Sequence, residues 1–276
     1  METSVIHLPW KKTEIILCGD IHWGCDACEK DLFRRFVRAH KEAHWWLLGD
    51  PFDLAPTSNR MKIRSCGLND GVLDRIEKAH REDVEELAKL LATTNVEGLI
   101  SGNHYWQFED GQTSDTMLAD LLGAAYLGDC ALVVVEFSRR APHKNTVPIR
   151  IFLHHGTAVG RKVSAPLNRL QDLVAEQEAD IYAIGHAHKS PQAPIDRIYT
   201  TDNGHLYHRT KRLLAVGSFY RSYLQHSMHG DRLQGSYAEK KLLAPSTLGC
   251  PNIIVTPHND GHLSLCIGQE SDLWNE

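Results

Sequence analysis

Long apolar runs are missing from this chain of 276 residues: the longest are a few residues each. A membrane-spanning helix needs about 20 consecutive apolar residues, so no segment reads as one. Met1 to Trp10 lacks the basic start and apolar stretch of an export signal, and the expected compartment is the cytoplasm. Positive charge is not in surplus. Thirty Lys and Arg face 35 Asp and Glu, a formal net charge of −5. That argues against a surface coated for nucleic acid, while leaving room for a local basic patch. The seven cysteines are odd in number and scattered, and they read as reduced thiols. Cys25-Asp26-Ala27-Cys28 is the one close pair, and no second C-x-x-C completes a zinc site with it. Internal repeats and low-complexity linkers are absent as well. With 42% hydrophobic and 24% charged residues, the composition is that of an ordinary globular chain, expected to form one domain over residues 1–276.

Short apolar runs mark the strands: Glu14 to Cys18, Trp45 to Leu48, Gly98 to Ile100, Ala131 to Phe137, Ile149 to Leu153 and Ile181 to Ile184. They are apolar on successive residues, so both faces are expected to be buried. Two helices lie between the early strands. Leu32, Phe36, Val37, His40 and Ala43 share one helical face. Leu73, Ile76, His80, Val84, Leu87 and Leu91 mark a longer helix, with opposite charges four residues apart on its outer side. Alternating strand and helix implies a largely parallel sheet. The last third differs. Asp202-Asn203-Gly204 and Asn259-Asp260-Gly261 read as hairpin turns, with further strands at Leu213 to Val216, Ile253 to Thr256 and Leu263 to Ile267. The predicted architecture is two packed sheets with helices outside.

Against these absences stands one surplus, 17 histidines, roughly three times an ordinary share. Many fall in five polar clusters that directly follow strands: Gly19-Asp20-Ile21-His22, Gly49-Asp50-Pro51-Phe52-Asp53, Gly102-Asn103-His104, His154-His155-Gly156 and Gly185-His186-Ala187-His188. Sites in α/β sheets form at the carboxyl ends of strands, so these clusters are expected to converge. Carboxylate, amide oxygen and imidazole make a mixed nitrogen and oxygen shell suited to Mn, Fe, Zn or Co. Asp-x-His alone is common, and a lone Gly-Asp or Gly-His is usually a turn. The strict patterns in this order would arise by chance about once in 10⁵ chains of this composition.

In these motifs the chain resembles the calcineurin-like metallophosphoesterases, whose signature is D-x-H, G-D-x-x-D, G-N-H, a lone His and then G-H-x-H. The resemblance covers Asp20 to His188. It implies an α/β fold, a four-layer αββα double β-sandwich, and hydrolysis of phosphate esters by a hydroxide bridging two divalent metal ions. Mn²⁺ is the expected ion, with Fe, Zn, Co or Ni as alternatives. The resemblance gives Asp20, His22 and His188 to one ion, Asn103, His155 and His186 to the other, and Asp50 to both. In the fourth motif His155 is preferred over its neighbour His154. His104 would sit beside the substrate phosphate, oriented by Asp53, and act on the leaving group without binding metal.

The chain departs from the family pattern at two places, and the second bears on the substrate. Many relatives carry an acidic residue after G-N-H, where this chain has Tyr105. The phosphoprotein phosphatases of the family carry Arg-Gly after G-D-x-x-D, where this chain has Leu54-Ala55. A folded phosphoprotein is therefore not the expected partner. A phosphorylated small molecule, a nucleotide or a single-stranded nucleic acid is, with no membrane involved. Arg60, Lys62 and Arg64 leave the second motif and are candidates to bind an anionic substrate; a solvated loop is the plainer reading. A nuclease of the same family and a non-catalytic scaffold on the same fold are the alternative functions.

Overall fold

The computed structural model describes residues 1–54, 70–140, 144–157, 160, 162–225, 228–229, 232–233 and 235–269. The early strands are β1 (Glu2–Pro9), β2 (Thr13–Cys18), β3 (His44–Leu48), β4 (Asn95–Ile100), β5 (Ala125–Tyr126), β6 (Cys130–Arg140) and β7 (Lys144–His154). After them come β8 (Ile181–Ile184), β9 (Gln192–Thr200), β10 (Leu206–Ala215), β11 (Met228–His229), β12 (Arg232–Leu233), β13 (Pro251–Pro257) and β14 (Leu263–Gln269). The helices are α1 (Lys30–Ala39), α2 (Asp70–Leu91), α3 (Ser114–Leu122), α4 (Ala165–Val174) and the short α5 (Tyr237–Lys241).

Two six-stranded mixed sheets form, in the orders β14-β13-β2-β3-β4-β5 and β1-β6-β7-β8-β10-β9. In the first, β2 to β5 run parallel and β13 pairs antiparallel with β2. In the second, β7, β8 and β10 run parallel.

The successive apolar residues explain the layering. In β3, Trp46 and Leu48 point into the core between the sheets, while Trp45 and Leu47 pack under the helices. The same division holds in β2, with Ile15 and Leu17 inward and Ile16 and Cys18 outward. In β8, Ile181 and Ala183 face the other sheet, and Tyr182 and Ile184 face α4. A strand with two buried faces needs apolar residues at every position, because its side chains alternate between layers. Helices α1, α2 and α3 cover the first sheet through Phe33, Phe36, Leu87, Leu91 and Leu118, and α4 covers the second through Leu170 and Val174. The fold is the expected αββα sandwich.

Several elements were not foreseen. β1 alternates exposed and half-buried residues at a sheet edge, and its polar residues interrupt any apolar run. Thr113 caps α3 in a capping box closed by Thr116, with Gly123 left-handed at the other end. The third position of that box therefore lacks the usual Glu or Gln. Among the described residues no helix is long and apolar enough to cross a membrane.

Candidate metal centre

Strands β2, β3 and β4 end side by side in one sheet, and β7, β8 and β10 in the other. The motif loops after them are stitched together by backbone hydrogen bonds. Asp20 N–H donates to Gly49 C=O at 3.1 Å, His22 N–H to Asp50 C=O at 3.1 Å and Trp23 N–H to Pro51 C=O at 2.9 Å. Trp23 and Phe52, both fully buried, bolt the two loops to the core. The carboxylates fasten the remaining loops. Asp50 Oδ1 accepts from the N–H of Asn103 at 2.6 Å and of His104 at 2.9 Å. Asp20 Oδ2 accepts from the N–H of His186 at 2.8 Å.

Each carboxylate thus commits one oxygen to architecture and keeps the other for the centre. Asp20 Oδ1 lies 3.3 Å from His188 Nε2 and 3.8 Å from His22 Nε2, and the two imidazole nitrogens face each other at 3.2 Å. Asp50 Oδ2 lies 3.1 Å from His155 Nε2, which is 3.0 Å from Asn103 Oδ1 and 3.3 Å from His186 Nδ1. Two groups that could hold metal ions result: Asp20, His22 and His188, and Asp50, His155 and His186. Asn103 borders the second. A further grouping of His22, Asp53 and His104 adjoins the first.

The donor set fits cations. Asp20 Oδ1 and His22 Nδ1 are buried and make no hydrogen bond among the described residues, an arrangement that costs free energy unless something else satisfies them. His155 Nδ1 donates to Leu48 C=O at 2.8 Å, which orients the ring with Nε2 facing the centre. Burial opposes ionisation of Asp20, but the imidazoles of His188 and His22 outweigh it and hold the carboxyl well below its usual range. Burial likewise opposes ionisation of Asp50, and the hydrogen bond from His155 prevails, leaving it at about 2. His155 is pulled down by burial yet pushed up to about 9 by Asp50.

The backbone is strained here. Asp20, His22, Asp50, His186 and His188 have φ of 53°, 54°, 46°, 63° and 50°, and among the described non-glycine residues only Asn145 and Leu242 share that region. Such left-handed conformations cost about 1–3 kcal/mol each and cluster at functional sites. The glycines fit tightly. A Cβ on Gly49 would come within 2.5 Å of His155 Nδ1, and one on Gly102 would overlap Asp50 Oδ1 and its backbone nitrogen.

The structure brings Asp20, His22, Asp50, Asn103, His155, His186 and His188 together, with Asp53 and His104 alongside. His104 Nδ1 is 2.6 Å from Asp53 Oδ1, and its Nε2 is 4.0 Å from Asp50 Oδ2. Burial lowers His104, but Asp53 and Asp50 raise it above its ordinary value. His154 belongs to neither group; its Nδ1 accepts from Gly156 N–H at 2.7 Å. Arg60, Lys62 and Arg64 lie outside the described residues.

Two contributors were missed from sequence. Asp115, fully buried, accepts the Gly102 N–H at 3.3 Å and props the G-N-H loop from behind. The sixth strand end, Gly217-Ser218-Phe219-Tyr220, closes the first donor group. Ser218 Oγ and Phe219 N–H both donate to Asp20 C=O at 2.9 Å, and Tyr220 packs on His22 and His188. The signal was present, since glycine and a polar residue follow the apolar run Leu213 to Val216 as in the other motifs.

No family model and no curated protein matches the chain. Solved structures similar to it include Vps29 of Chaetomium thermophilum, at 12% identity and TM-score 0.34 over 93% of this chain and 95% of that one. GAP50, the anchor in the inner membrane complex of Plasmodium, is 12% identical with TM-score 0.48, covering 95% and 86%. At these values the likeness reaches no further than a distant fold relationship. The geometry itself defines the class: a mixed α/β sandwich of two six-stranded sheets, with Asp and His groups that could bind metal ions at one end.

Proposed function

We propose that this chain is a binuclear metallophosphoesterase that hydrolyses small or flexible phosphate esters, phosphodiesters favoured. The observation that carries the reading is the convergence of seven donor residues from five strand ends, five of them held in left-handed backbone. Asp20, His22 and His188 would hold one divalent ion, Asn103, His155 and His186 the other, and Asp50 both, with Mn²⁺ the expected metal. When bound, such ions supply Lewis acidity toward phosphoryl oxygens and lower the pKa of water, making a nucleophile available at neutral pH.

The chain's own residues do the rest. Asp53 holds the His104 ring through Nδ1 and, by its charge, favours the imidazolium. His104 Nε2 then presents a proton to the ester oxygen that leaves as the P–O bond breaks, a contribution of about 10²–10⁴-fold in rate. Asp50 Oδ1, by gripping the N–H groups of Asn103 and His104, keeps that ring in register with the donor groups.

The test is hydrolysis of bis(p-nitrophenyl) phosphate and p-nitrophenyl phosphate after loading with each of Mn²⁺, Fe²⁺, Zn²⁺, Co²⁺ and Ni²⁺. Turnover that disappears on chelation and in Asp50→Asn is expected. A protein that binds two ions yet hydrolyses neither ester, nor nucleotides, nor single-stranded DNA, would make it a scaffold.

A further inference from the structure

We propose that Tyr220 is a specificity-determining residue whose ring is the wall against which a flat ring on an ester oxygen of the substrate packs. The proposal rests on the phosphoesterase reading above.

The placement of Tyr220 is built. Its N–H donates to Ser218 Oγ at 2.9 Å, and its carbonyl accepts from Ser246 Oγ at 2.5 Å. On one side Phe219 is fully buried against Phe33 and Phe36. On the other, Arg221 N–H donates to Ala27 C=O at 2.8 Å, and its guanidinium pairs with Glu29. With the backbone fastened before and after, the side chain has only two torsions left to set. They place the ring 5.2 Å from His22 and 5.5 Å from His188, tilted by 59° and 69°.

That position is beside the reacting end of the site. His104 packs on the same His22 ring at 5.0 Å, so Tyr220 and His104 flank one imidazole of the first donor group. A group on an ester oxygen that reaches from His104 across the His22 ring would meet Tyr220. Among the described residues Tyr220 is the one non-histidine aromatic ring packed on a donor histidine, and it is half-buried. Trp23, Phe52 and Phe219 are fully buried and can touch no substrate. A half-exposed phenol ring with a fixed backbone favours stacked or edge-on contact with another flat ring over contact with an alkyl chain.

The test uses Mn²⁺-loaded full-length protein and two non-hydrolysable probes, phenylphosphonate and methylphosphonate, with binding read by calorimetry and metal content by mass spectrometry. Wild type is expected to prefer the phenyl probe. Tyr220→Ala should lose about 3- to 10-fold in affinity for that probe alone, and Tyr220→Phe should keep the preference, both with unchanged metal content. Tyr220→Leu, which keeps bulk without a π face, should behave like Tyr220→Ala and covers the case in which the alanine variant does not fold. An equal loss for both probes, or loss of metal, would show that Tyr220 only buttresses the histidines and would overturn the proposal while leaving hydrolysis by wild type intact. Absence of probe binding together with absence of hydrolysis in wild type would instead overturn the phosphoesterase reading, and this one with it.

Discussion

The first sheet carries histidine–carboxylate pairs at both ends of its strands, and the two ends behave in opposite ways. At the amino ends, Glu14 accepts from His40 at 3.0 Å and from Asn252 at 2.9 Å, and Glu97 lies 2.6 Å from His44. There each carboxylate has its own imidazole, in backbone of ordinary hand. The hydrogen bond from His40, working against burial, lowers Glu14 below its usual value. At the carboxyl ends Asp20 lies within 4 Å of two imidazoles, Asp50 does so as well, and the backbone is left-handed. None of these amino-end residues has left-handed backbone. The carboxyl end holds strain and unmet polar atoms that the fold alone does not offset, as expected of a site assembled for a ligand.

The largest effect expected from breaking this contrast is at Gly102. Gly102→Ala forces a Cβ into Asp50, the carboxylate that orients both Asn103 and His104. Hydrolysis and metal content should both collapse, measured by phosphodiester turnover and mass spectrometry. If Gly102→Ala retained both, Asp50 would not be the keystone of the centre. Next comes His104→Ala, which should keep both ions yet lose about 10²–10⁴-fold in turnover, less for nitrophenyl esters, whose leaving group needs little help. Loss of an ion in that variant would move His104 into the donor set.

A third comparison sets glycine against alanine at the two ends. At His188, whose φ is 50°, glycine should give a metal-free protein about 1 kcal/mol more stable than alanine does, because alanine keeps the left-handed strain. At His44, the first residue of β3, the order should reverse, glycine being the poorer strand residue. Denaturant melts of the four variants decide this, and the same order at both ends would show that strain does not distinguish them.

The smallest effect concerns Asp115. Burial pushes this carboxyl up to about 7, against about 3.9 in an unfolded chain. Between those values the native state keeps a proton that the unfolded state has released. The contribution of Asp115 to the stability of the metal-free protein therefore falls as pH rises from about 4 to about 7, and is constant above. Asp115→Asn should flatten that slope while its amide oxygen still accepts the Gly102 N–H. A thermal melt series across that range checks both, and an unchanged slope would contradict the assignment.

The carboxyl end was more legible in the sequence than the amino end. Asp20, Asp50 and His186 each stand one glycine beyond an apolar run, and Asn103 a serine and a glycine beyond one, a placement that sets a side chain able to bind metal at the end of a buried strand. The inner strands were readable because burial on both faces leaves runs of successive apolar residues in them. β1 and α3 were not, because an edge strand exposes one side and a helix capped by Thr113 and Thr116 lacks the Glu or Gln usual at the third position of the box. Asp115 was invisible for a different reason: its partner is a backbone N–H thirteen residues away in sequence, a contact no local pattern encodes. Tyr220 had the signal of a strand end, but its role depends on two histidines far from it along the chain.

On the function proposed above, the strained end of the sandwich holds two divalent ions. Anomalous diffraction from crystals of Mn²⁺-loaded protein tests it most directly. Two peaks about 3.5–4 Å apart are expected, one within reach of Asp20, His22 and His188, the other of Asn103, His155 and His186, with Asp50 at both. No peak at these residues, or a single ion held by other side chains, would contradict it.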